Sequence, residues 1–151
     1  MKKNKLKQNK KIENKKYLLI IISLLVFIFC GLLTSMVTEI FRGKQFLYIL
    51  LGGGGAFLVL GIALILLTKK LEVSKANKVF LYMTGFSAPA FLIGTVGHNL
   101  LYALGTVITE ISVLPYIVSA FEVAFFFLAV PVCPIGFIVG IIGSVVYLIK
   151  K

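Results

Sequence analysis

Residues 122–151, EVAFFFLAVPVCPIGFIVGIIGSVVYLIKK, combine a long apolar run, two central prolines, a string of small residues and a closing pair of lysines. A helix that crosses a bilayer needs ~20 predominantly apolar residues at ~1.5 Å rise each, and this stretch supplies them. Pro131 and Pro134 have no N–H to donate, so the carbonyls of Phe127 and Val130 lose their partners. That predicts a kink or a locally unwound turn around Cys133. Gly136 and Gly140 form a GxxxG pair, which Ser144 continues, and such spacing lets a second backbone come close. The approaching helix could belong to this chain or to another copy.

Three more apolar runs precede this one. Residues 17–38 are uncharged for 22 positions, 45–68 for 24 and 79–109 for 31. Of the 151 residues 60% are hydrophobic and 14% charged, where soluble domains are about 45–50% apolar. A soluble fold of this size has too little polar surface to cover four such runs. The expected fold is therefore all-α, a polytopic integral membrane protein with four transmembrane helices over about 17–38, 46–68, 79–105 and 122–149. Residues 17–151 make one transmembrane domain, and 1–16 a basic, disordered tail. Residues 110–121 are too apolar for an ordinary loop and too short to span, so they are expected to lie along the outer interface. Residues 17–38 are read as a retained helix, because no small-residue cleavage site follows them.

Charge sets the topology. With both ends in the cytoplasm, fourteen of the sixteen basic residues fall inside: eight in 1–16, four in 69–78, and Lys150 and Lys151. Only Arg42 and Lys44 fall outside, a strong positive-inside bias. The tyrosines agree. Tyr17, Tyr82 and Tyr147 mark cytoplasmic span ends and Tyr48, Tyr102 and Tyr116 outer ones, as in interfacial aromatic belts. The implied location is a cell membrane, multi-pass. The tail lysines are expected to lie against anionic lipid, each contributing ~1 kcal/mol near the surface. A net charge of +11 does not imply nucleic acid here, because no basic face interleaved with aromatics is visible.

The glycine run at Gly52–Gly55 admits two readings. Gly52 and Ala56 form a small-residue pair suited to close helix packing, or the helix breaks there and lines a cavity. Gly31 and Ser35 offer a similar stripe on the first helix. In the third run Pro89 frees the Gly85 carbonyl, and Thr84 and Ser87 stand close enough to help satisfy it.

Chemically the inventory is thin. Cys30 and Cys133 lie in separate spans without CxxC or Cys/His spacing, so neither metal nor cofactor is expected. No nucleophile–base pair is present, and no Lys-Ser/Thr follows the glycines to make a phosphate loop. The first span lacks the carboxylate that small proton-coupled exporters carry there. The glycine run likewise lacks the arginine of the fluoride-channel motif.

What remains is a polar cluster at the outer side: His98, Asn99, Glu110 and Glu122. His98 is the sole histidine, and an ionisable group in a span marks a candidate functional site. The competing reading places it among headgroups, about 20 residues from the inner boundary, where it is cheap. The expected function is non-enzymatic: action through helix–helix contacts with a larger membrane protein or further copies. The alternative is an oligomeric small-solute or ion channel or transporter.

Overall fold

A computed structural model describes residues 2–37, 44–71, 73–108 and 113–149, and the structural statements below concern these. The elements among the described residues are all helical: α1 (Lys2–Val37), α2 (Lys44–Lys70), α3 (Lys75–Val107), α4 (Leu114–Phe127), a π turn (Leu128–Val132) and α5 (Cys133–Ile149). Four segments are long and apolar enough to cross a membrane: Glu13–Ser35, Tyr48–Lys70, Lys75–Val107 and Leu114–Val146.

Two boundaries differ from expectation. The basic residues before Tyr17 are helical back to Lys2 rather than irregular. No Gly or Pro precedes Gly31, Lys and Gln are good helix formers, and extending a helix avoids the cost of nucleating one. The second correction concerns residues 110–121 and the start of the last span at Glu122. The helix begins at Leu114, with Pro115 in its first turn, where a missing N–H does no harm. Tertiary contact supports this extra length, because the Val118 side chain is buried against Gly105 of α3.

The glycine run does not interrupt α2, which is continuous from Lys44 to Lys70. Each glycine in a helix interior costs ~1 kcal/mol relative to Ala. Two of the four offset this by packing. A Cβ on Gly53 would stand 3.2 Å from Leu32 Cδ2 of α1, and one on Gly54 would stand 2.9 Å from Leu92 Cδ1 of α3. At α3 the Ser74 hydroxyl accepts from the Asn77 N–H as an N-cap (3.3 Å), and Pro89 lies within the unbroken helix.

The last helix pair is joined through the prolines. The Cys133 N–H donates to the Leu128 carbonyl, five residues back. Pro131 and Pro134 remove two N–H groups, and the wider π turn keeps the helix continuous across the gap.

Helix α3 is the hub, packed by α2, α4, the π turn and α5. Helix α1 lies against α2 and touches α5 over a shorter length. The centre is aromatic, with one phenylalanine from each of α1, α2, α3 and α5: Phe29, Phe57, Phe91 and Phe137, all buried. Their ring centroids are 4.5 Å (Phe29–Phe137), 5.3 Å (Phe57–Phe137), 6.0 Å (Phe29–Phe57) and 6.2 Å (Phe57–Phe91) apart, within the range of favourable aromatic pairs.

Candidate functional site

Small residues set the helix spacing. Gly61 of α2 and Gly85 of α3 cross face to face: a Cβ on Gly61 would stand 2.7 Å from the Gly85 carbonyl oxygen and 2.6 Å from Ala88 Cβ. A Cβ on Gly85 would stand 3.2 Å from the Gly61 carbonyl oxygen. Each glycine therefore faces the other's carbonyl, the arrangement of interhelical Cα–H···O contacts. The Gly85 carbonyl is the one Pro89 frees. It faces Gly61 rather than a neighbouring hydroxyl, for Thr84 Oγ1 donates to Phe80 O (3.0 Å) and Ser87 Oγ to Met83 O (2.7 Å).

Between α3 and α5 the small residues run antiparallel, with Gly136 at Ser87, Gly140 at Thr84 and Gly143 at the Phe80 ring. A Cβ on Gly140 would stand 2.7 Å from the Thr84 nitrogen, a backbone clash. One on Gly136 would meet only the Ser87 hydroxyl, at 3.1 Å. The same register continues through the π turn, where Gly94 meets Ala129, and beyond it, where Gly97 meets the Phe125 ring.

Gly52 is different. A Cβ there, or on Gly31 or Gly55, would meet nothing within 4 Å. Gly52, Ala56 and Gly31 are exposed. Gly52 thus takes no part in packing inside this bundle.

His98 and Glu122 come together across α3 and α4. His98 Nδ1 lies 3.4 Å from the Glu122 carbonyl oxygen and 3.7 Å from its carboxylate Oε1. The two side chains are 30% and 24% exposed, so water reaches both but surrounds neither. The Phe126 ring, one turn along α4, covers the imidazole at a centroid distance of 5.4 Å. A proton on Nδ1 can be donated to the Glu122 carbonyl, and a protonated ring forms an ion pair with the carboxylate.

Asn99 does not join the pair. Its side-chain amide donates to the Thr95 carbonyl (2.8 Å), while the Thr95 hydroxyl donates to the Phe91 carbonyl (2.8 Å). Glu110 lies outside the described residues. Cys30 and Cys133 are both free thiols, the first exposed and the second buried. Among the described residues no group of three His, Cys, Asp or Glu side chains is placed to hold a metal ion.

Sequence reasoning singled out Gly136 and Gly140 but overlooked Gly61, Gly85, Gly97 and Gly143 as packing positions. Gly143 carried a readable signal, since it extends the Gly136 and Gly140 face by one further turn. Gly61 carried none, standing alone among Leu, Ile and Ala. No protein-family model, no curated protein and no solved structure matches the chain.

Proposed function

We propose that this chain is a non-enzymatic integral membrane protein that spans a cell membrane four times and acts through helix–helix contacts on its outward faces. The partner is a larger membrane protein or further copies of the chain. One observation carries the reading: glycines with no role inside the bundle. Gly31 of α1 and Gly52 and Gly55 of α2 face open space, and Ala56 extends the α2 face by one turn. Glycine is unfavourable in a helix interior by ~1 kcal/mol against Ala, and in lipid small residues serve close approach between helices. The three lie at one depth, since Leu32, next to Gly31, packs on Gly53. The lysine distribution supports cytoplasmic ends and an inner face held against anionic lipid.

The test is cross-linking in native membranes, followed by mass analysis of what migrates with the protein. A stoichiometric partner or a discrete homo-oligomer is expected, and it should be lost in Gly52→Leu and Ala56→Leu, which add bulk only to an open face. A chain that remains monomeric, with nothing attached, would sink the proposal.

The alternative, an oligomeric ion or small-solute channel, has a geometric constraint. Phe29, Phe57, Phe91 and Phe137 occupy the bundle axis, so a path would run between copies. Flux through reconstituted vesicles tests that reading.

A further inference from the structure

Helix α4 differs from the other helices in what holds it. Among the described residues it packs against α3 and the π turn alone, and reaches neither α1 nor α2. Its lower end is the π turn with Pro131, and such turns are where helices bend. Its close approaches to α3 include the Phe125 carbonyl at Gly94, the Phe125 ring at Gly97 and Val118 at Gly105, together with one polar tie, His98 to Glu122. The rest of its surface is exposed, including Tyr116, Ile117, Phe121, Val123 and Phe127.

The core-facing stripe of α3 shows where the closed bundle ends. Leu81, Thr84, Ala88, Phe91 and Thr95 are buried, the last at 6% exposure. One turn further His98 is 30% exposed, and one turn beyond that Tyr102 is 60% exposed. His98 therefore stands at the boundary between the sealed bundle and an open hairpin. Among the described side chains, the titratable groups at this end are Glu122 and Tyr116 from α4, Tyr48 from α2 and Tyr102 from α3 itself. Only Glu122 is within ion-pair distance of His98.

We propose that His98 and Glu122 form a proton-operated latch that governs how closely α4 docks on α3. When the imidazole takes a proton from water, the cation is held by the Glu122 carboxylate and α4 stays down. When it gives the proton back, that attraction is gone and α4 pivots outward on the π turn. Histidine is the side chain that ordinarily changes charge between about pH 5 and about pH 8. The latch is independent of what the open glycine faces bind.

The experiment uses the full chain in lipid vesicles, with Cys30→Ser and Cys133→Ala as background and spin labels at Tyr48→Cys on α2 and Val123→Cys on α4. Both positions are exposed. The expected result is a distance distribution that shifts toward shorter separations as pH falls from about 8 to about 5. His98→Gln and Glu122→Gln should each abolish that shift. A control pair at Phe86→Cys on α3 and Ile142→Cys on α5, also exposed, should give one distance at every pH and in every variant. The proposal is overturned if the first pair is pH-independent in the parent chain. A shift that survives Glu122→Gln overturns it too, as does a control pair that moves with pH.

Discussion

Helix α3 meets its last partner twice, once on each side of the π turn, and the two meetings are built differently. Toward α5 the closest contact is glycine on backbone, Gly140 at the Thr84 nitrogen, with Gly143 under the Phe80 ring and Phe137 closing the aromatic centre. Toward α4 one glycine, Gly94, also meets backbone, at the Phe125 carbonyl, while Gly97 and Gly105 lie under side chains and a single polar pair is added. Close-packed interfaces of the first kind have no room to adjust, because dispersion falls steeply with separation and small residues leave nothing to rearrange. The second kind leaves one helix face free and places its only charged pair where water reaches it. The buried aromatic centre and the partly exposed polar pair thus fall on opposite sides of the π turn.

Four substitutions would break or sharpen that contrast. The largest effect is expected from Phe137→Ala, which empties part of the aromatic centre. We expect a loss of roughly 3 kcal/mol, at the low end for such deletions because lipid also solvates an unfolded ring. Unfolding in mixed detergent micelles measures it, and a loss as small as that for exposed Phe126→Ala would deny the centre its structural role.

Next comes Gly140→Ala, which forces a methyl group against backbone and should destabilise by about 1–3 kcal/mol. Gly136→Ala, facing only a rotatable hydroxyl, should fall well below that, and the difference between the two is the informative quantity. Smaller again is Glu122→Gln, expected to lower stability by less than about 1 kcal/mol because the pair is partly solvated. Equilibrium unfolding of the two forms in the same micelles measures it.

The smallest effect has the opposite sign. Gly52→Ala should stabilise the isolated chain by about 0.5–1 kcal/mol, by raising helix propensity at a position whose new methyl group meets nothing. If it destabilises instead, α2 has a neighbour in its working state, and comparing micelles with native membranes would reveal it.

Much of this was legible in the residues. Unbroken apolar runs bounded by lysines have few alternatives to long helices, so the four segments follow from composition and length. Pro131 and Pro134 marked the irregular turn, because two absent N–H groups must show somewhere in the hydrogen-bond ladder. The start of α4 was harder to read. Residues 113–121 contain nothing that forbids an interfacial strip, and the contact that decides the matter, Val118 on Gly105, lies between segments of the chain.

Composition and local order determined the four apolar segments and the site of the π turn, since these depend on apolar length and on which N–H groups exist. Tertiary structure alone decided which glycines are occupied and which are open. Gly52 and Gly54 have the same propensity and stand in the same glycine run, and differ only in what stands opposite them. It also decided that His98 meets Glu122, 24 residues away, while adjacent Asn99 turns back to its own helix. Helical spacing gives a residue its face, but the partner of that face is set by how the helices cross.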